Sequence, residues 1–159
     1  MSKTRAEAIL RLATAAGVSV TTAESCTGGM IAAAITDVAG SSTIFERGFV
    51  TYSNQAKVDM LGVDPGTLDV YGAVSPEVAE QMARGARRAA GASIAVSVSG
   101  IAGPGGSEHK PEGRVCFAVS TDNGTTSETV EFGALGRAQV REAARDHALT
   151  LVLDALKRL

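Results

Sequence analysis

The stretch Thr22-Ala23-Glu24-Ser25-Cys26-Thr27-Gly28-Gly29 follows the run Val18-Ser19-Val20-Thr21 and opens the apolar segment Met30 to Ile35. It reads as a strand-to-helix turn. β-Branched residues suit a half-buried strand, and a turn that follows one exposes hydroxyls beside helix N–H groups that lack intrahelical partners. A reactive oxygen and donors for an anion are thereby brought together.

Working outward, Val18 to Ala23 forms the first strand, and Gly28 to Thr36 is a helix apolar all round and therefore expected to be buried. Upstream, about Lys3 to Ala16 gathers Ala6, Ile9, Leu10, Ala13 and Ala16 near one face, an amphipathic helix ended by Gly17. Downstream, Phe45 to Ser53 alternates as a second strand, and Asn54 caps a short helix through Leu61 that carries Lys57 in its first turn. Gly62 to Gly72, with Asp64-Pro65-Gly66, reads as a connector. Ser75-Pro76-Glu77 starts a helix to about Ala90 whose buried stripe is mostly alanine. Gly85 inside it costs about 1 kcal/mol relative to Ala, which a close helix crossing would offset. Ser93 to Ser99 is an interior strand running into the glycine-rich loop Gly100 to Gly113. Arg114 to Thr121 and Thr125 to Phe132 form a hairpin around Asp122-Asn123-Gly124, and Gly136 to Leu159 closes the chain as a long helix. Its second apolar row, Leu149, Leu153 and Leu156, exceeds what one sheet face needs and hints at a homo-oligomer interface. The order of elements predicts an α/β fold, a three-layer α/β/α sandwich whose mixed, mostly parallel sheet ends in an antiparallel hairpin, in one domain over residues 1–159.

Composition sets the outer bounds. A chain of 159 residues buries roughly two-thirds of its unfolded surface without disulfide or metal staples. Hydrophobic residues make up 45%, but aromatics only 4% and there is no Trp, so the core is built from small aliphatics. A net charge of −2 without a basic run argues against direct nucleic-acid contact, and no apolar stretch has the length of a membrane span. The two cysteines, Cys26 and Cys116, form no Cys-x-x-Cys pair, which fits a reduced, cytoplasmic setting. No set of His, Cys and carboxylates is spaced as metal ligands, so neither a metal nor a cofactor is expected.

Ligands of such sheets sit outside the carboxyl ends of the strands. Ser25 to Gly29 and Gly100 to Gly106 follow two predicted strand ends, and Lys57 lies just past a third. His109 falls in a loop and His147 on the apolar face of the last helix, so a histidine-based triad is poorly supplied and a Ser/Lys pair is favoured. Ser25 alone also reads as a cap, Lys57 as a solvated helix charge, Ser53 as a rival nucleophile within one turn of Lys57, and Cys26 as another at a helix N-terminus. Thr27, Gly28 and Gly29 offer backbone donors to an oxyanion or anion. Glu24 orients Lys57, binds a ribose hydroxyl, or is a paired structural carboxylate. Arg47 and Tyr52 are candidates for phosphate and ring contacts, with Lys110 and Arg114 as weaker phosphate candidates, and Gly100, Ala102, Gly103 and Pro104 for a pocket wall.

Taken together, Thr22 to Gly29, Phe45 to Lys57 (FERGFVTYSNQAK), Leu61-Gly62-Val63, Gly72-Ala73-Val74-Ser75 and Ser99 to Pro104 (SGIAGP) resemble the CinA C-terminal family along nearly the whole chain. The resemblance implies hydrolysis of the carboxamide of nicotinamide mononucleotide to the carboxylate, with release of ammonia, and a small-molecule nucleotide as partner. It implies Ser25 as nucleophile and Lys57 as general base. Longer members carry an N-terminal domain resembling molybdopterin-binding proteins, and only the deamidase part is expected here. The loop Pro104-Gly105-Gly106-Ser107 is one residue shorter than the family pattern, and Glu112 stands where a small apolar residue is usual. A non-catalytic nucleotide-binding or regulatory module, or a competence-linked DNA-uptake accessory, are the alternative readings.

Overall fold

The computed structural model describes residues 2–159. Its elements in chain order are α1 (Ser2–Ala16), β1 (Val20–Glu24), α2 (Met30–Thr36), a 3-10 turn at Ser41–Thr43, β2 (Phe49–Val50), α3 (Asn54–Leu61), α4 (Pro65–Tyr71), α5 (Pro76–Ala90), β3 (Ile94–Gly100), β4 (Arg114–Thr121), β5 (Gly124–Glu131) and α6 (Arg137–Lys157). The sheet runs β2-β1-β3-β4-β5. β1 pairs in parallel with β2 and β3, whereas β4 pairs antiparallel with both β3 and β5. Among the described residues no helix is long and apolar enough to cross a membrane.

Strand alternation assigns the two faces. Ile94, Val96 and Val98 of β3 and Val115, Phe117 and Val119 of β4 join Ile9, Ala13, Ile31, Val140, Leu149 and Val152 in one core under α1, α2 and α6. On the other face Ala23 and Ala95 meet Leu61, Leu68, Val78, Met82 and Ala86, with Ala79, Ala83 and Ala118 beside them, under α3, α4 and α5. The fold is the expected three-layer sandwich. Small residues on both sides of the second interface let α5 lie close to the sheet, near enough for Ser97 Oγ to donate to Ala79 O and Ser99 Oγ to Ala73 O.

Several local expectations are corrected. The strand expected over Phe45 to Ser53 is reduced to Phe49–Val50. Ahead of it the chain is held by other contacts, with Thr21 Oγ1 donating to Arg47 O at 2.7 Å and a bare Gly48 wedged against Thr22 and Phe45. Ser53, not Asn54, caps α3 by accepting from Ala56 N at 3.0 Å. The connector Gly62 to Gly72 contains α4, because Asp64 caps it through Gly66 N and Pro65 occupies the first helical turn. The same dipeptide that signals a turn also signals a helix start. α2 begins at Met30 rather than Gly28, and it is not buried all round, since Ala33 and Thr36 are exposed. The second apolar row of α6 is covered for the most part within the chain. Leu149 and Leu156 are buried in the core that contains Ile9 and Ala13 of α1, and Leu153 packs on its margin. His147 is half-buried, its ring 4.6 Å from that of Phe117 and hydrogen-bonded to Glu128.

One crossing sets the position of α3. A Cβ added to Gly85 of α5 would stand 1.9 Å from the carbonyl oxygen of Leu61, the last residue of α3. Helix propensity alone makes Gly85→Ala stabilising by about 1 kcal/mol, but the overlap with backbone forces the helices apart, and overpacking typically costs about 1–3 kcal/mol. Gly85→Ala is therefore expected to lower the melting temperature by several degrees. Thermal denaturation checks this, and a raised melting temperature would contradict the crossing.

Candidate active site

The turn after β1 is held from its buried side. Glu24 is fully buried, and its Oε1 accepts from Thr27 Oγ1 (2.6 Å), Gly29 N (3.2 Å) and Ile31 N (2.9 Å) while Oε2 accepts from Ala32 N (2.9 Å). A carboxylate thus satisfies the orphan donors at the start of α2, where negative charge is also favoured by the helix dipole. From α6, Arg141 donates through Nε to Cys26 O (3.0 Å) and through Nη2 to Thr27 O (3.3 Å). Ser25 N donates to Val98 O at 3.0 Å, extending the β1–β3 ladder by one residue. Three elements therefore fix Ser25 at the carboxyl edge of the sheet.

Lys57 reaches the same point from α3. It is only 1% exposed, and Nζ donates to Ser25 Oγ at 3.0 Å and to Thr51 O at 2.9 Å, with Ser53 O at 3.5 Å. No carboxylate pairs with it among the described residues. Desolvation pushes its pKa from 10.5 down to about 8, against the opposing charge of Glu108. Burial also pushes the neighbouring Cys26 thiol up to about 11, so it stays protonated at neutral pH. The Ser53 hydroxyl is engaged as the α3 cap, leaving only its carbonyl toward the amine.

Ser25 and Lys57 open into a cavity of about 350 Å³ between the carboxyl ends of β1 and β3 and the loop after β3. Tyr52, Gly100, Ala102, Gly103 and Pro104 line it. Tyr52 is 61% exposed at the mouth. Its hydroxyl accepts from Arg137 Nη2 at 2.9 Å, while Arg137 Nη1 donates to Gly103 O at 2.6 Å.

Other expected contacts are not brought together. Arg47 lies outside the cavity, exposed and paired with its neighbour Glu46, because residues 45–48 do not form the strand that would have aimed it inward. Glu24, Thr27, Gly28 and Gly29 also stand behind the cavity wall rather than in it. Gly28 N is taken by Ser25 O and Gly29 N by Glu24, so neither N–H is free for an oxyanion. Glu24 does not orient Lys57. Lys110 spends its ammonium on Tyr71 O and Val74 O, and Arg114 pairs with Glu131.

A family model described as the CinA C-terminal domain matches residues 2–156. The chain belongs to the CinA C-terminal domain family. It is 57% identical over 136 residues to the nicotinamide-nucleotide amidohydrolase PncC of Escherichia coli K12, covering 85% of this chain and 82% of that protein. A CinA-like protein of Shewanella pealeana is 44% identical over 157 residues, which are 98% of this chain but 36% of that protein. Among solved structures, the competence/damage inducible protein CihA from Agrobacterium tumefaciens superposes with a TM-score of 0.93 at 48% identity, covering 98% of this chain and 95% of that one. A CinA superfamily protein from Klebsiella pneumoniae gives 0.95 at 34% identity, covering 100% and 99%.

Within this CinA domain, sequence reasoning missed Arg137, Arg141, Asn54, Ser99 and Glu108. Ser99 was within reach of the strand-end rule, since it closes β3 beside Gly100. Arg137 and Arg141 carried no local signal, as their partners in the site lie 34 to 115 positions away in sequence. The Glu24 cradle yields a direct test. In Glu24→Gln an amide N–H₂ must face a backbone N–H, and a buried donor left without an acceptor costs about 1–3 kcal/mol. Chemical denaturation should show a loss of that size, and an undiminished midpoint would contradict the cradle.

Proposed function

We propose that this protein is an amidohydrolase converting nicotinamide mononucleotide and water to nicotinate mononucleotide and ammonia, with Ser25 as nucleophile and Lys57 as general base. The observation that carries this reading is the 3.0 Å contact from a buried, carboxylate-free Lys57 Nζ to Ser25 Oγ. The name of the Escherichia coli relative supports the substrate class.

In the first half-reaction the neutral amine of Lys57 takes the Ser25 hydroxyl proton as Oγ attacks the carboxamide carbon. The tetrahedral oxyanion needs donors, and with the Gly28 and Gly29 N–H groups engaged they come from elsewhere in the cavity lining. Collapse breaks the C–N bond, and the lysine proton leaves with nitrogen as ammonia. Water then attacks the Ser25 ester, Lys57 takes its proton and returns it to Oγ, and the carboxylate product departs. Arg137, at the mouth between Tyr52 and Gly103, offers a bidentate partner for the 5′-phosphate.

Ammonia release on incubation with nicotinamide mononucleotide tests the reading. Ser25→Ala and Lys57→Ala are each expected to lose at least about 10³-fold in kcat while keeping the wild-type far-UV spectrum. Near-wild-type rates in either would sink the assignment. The pH profile is a separate test. Catalysis requires the uncharged amine, so with a Lys57 pKa of about 8 log kcat/KM should rise by about one per pH unit below that value and level off above it. A flat profile from about pH 6 to about pH 9.5 would remove Lys57 as the base.

A further inference from the structure

The cavity contains a charge that the Ser25–Lys57 chemistry does not use. Among the described residues lining it, Glu108 alone bears a carboxylate. It enters no ion pair among those residues. The loop is built to present it. Ser107 N donates to Lys110 O (3.0 Å) and Lys110 N to Ser107 O (2.8 Å), closing a two-residue turn in which Glu108 and His109 both take left-handed conformations, φ 52° and 63°. Positive φ at both central residues is what a type I′ turn demands, and neither residue is the glycine or asparagine that favours it. Lys110 ties the turn to the end of α4 through Tyr71 O and Val74 O, each at 2.7 Å. At the same place a Cβ on Gly72 would lie 2.6 Å from Glu108 Oε2 and 2.9 Å from Lys110 Nζ, so the carboxylate and that ammonium share the space beside a bare glycine.

Position decides which part of a ligand this charge meets. Arg137 is anchored to Gly103 and Tyr52 on the α6 side of the mouth, whereas Glu108 lies over Gly72 at the carboxyl end of α4. Glu108 lines the same cavity of about 350 Å³ as Ser25 and Lys57, and its charge opposes the lowering of the Lys57 pKa, so it acts at the reacting end. A carboxamide on Ser25 places its aromatic ring next to that end. In an oxidised nicotinamide nucleotide the ring nitrogen is quaternary. It offers no N–H, and it is recognised through charge by a carboxylate that need make no hydrogen bond.

Resting on the activity proposed above, we propose that Glu108 is a specificity-determining residue, whose carboxylate faces the pyridinium ring of the bound nucleotide and favours cationic amide substrates over amides on neutral rings. After hydrolysis the same charge repels the newly formed nicotinate carboxylate and so promotes release of the product.

The test compares kcat/KM for nicotinamide mononucleotide with that for benzamide riboside monophosphate, in which a benzene ring replaces the pyridinium. Glu108→Gln keeps the side-chain shape and breaks no ion pair, so its melting temperature should match the wild type. The expected result is a fall of about tenfold in the cationic-to-neutral kcat/KM ratio, the size of a charge contact that solvent and the nearby Lys110 ammonium partly screen. Both substrates turned over with an unchanged ratio would overturn the role of Glu108 while leaving the amidohydrolase reading in place. Wild-type protein releasing ammonia from neither substrate would overturn that reading, and this proposal with it.

Discussion

A lysine ammonium taken out of water with no carboxylate to receive it is the constraint on which this molecule turns. Lys57 has only neutral oxygens within reach, namely Ser25 Oγ, Thr51 O and Ser53 O. A lone charge there is disfavoured, and the group responds by giving up its proton more readily. The Gly85 crossing holds α3 against α5 at the Leu61 carbonyl, and Lys57 is buried one turn earlier on the same helix.

The same region holds a second buried charge, and the fold keeps the two apart. Glu24 precedes Ser25, the hydrogen-bond partner of Lys57, by one residue. A Glu24–Lys57 ion pair would hold the lysine protonated and remove it as a base. Four donors from Thr27 and the start of α2 retain the carboxylate on the opposite face of β1 instead. Strand alternation enforces the separation, because Glu24 and Ser25 point to opposite faces. The carboxylate therefore stabilises the turn without neutralising the site.

How much of this could be read from the sequence follows from how local each determinant is. The turn itself was legible, since a β-branched strand, a hydroxyl and two glycines lie within eight residues. α5 was legible from Ser75, Pro76 and its alanine stripe. The strand over Phe45 to Ser53 was not, because alternation is a necessary but insufficient condition for pairing: here Thr21 and Gly48 settle the local path, and Arg47 consequently faces solvent. Gly28 and Gly29 were read as free donors because the acceptor that occupies them, Glu24, is a neighbour whose side-chain direction the sequence does not display. Arg137 and Arg141 became part of the site only when α6 returned across the sheet.

These misreadings concern tertiary packing and side-chain direction, both of which bear on how such a site is assembled. Arg137 and Arg141 take partners that packing brings to them, and Gly28 and Gly29 lose their N–H groups to a neighbouring carbonyl and side chain, while the groups read correctly rest on backbone pattern. In a buried site the first kind carries the electrostatics: an ammonium with no paired carboxylate, a carboxylate saturated by N–H groups, a thiol kept protonated. Local motif sets which atoms arrive at the carboxyl edge of the sheet. Packing then sets the charge state in which they arrive, and for a serine whose only base is a lysine that second step separates a hydrogen-bonded turn from a nucleophile.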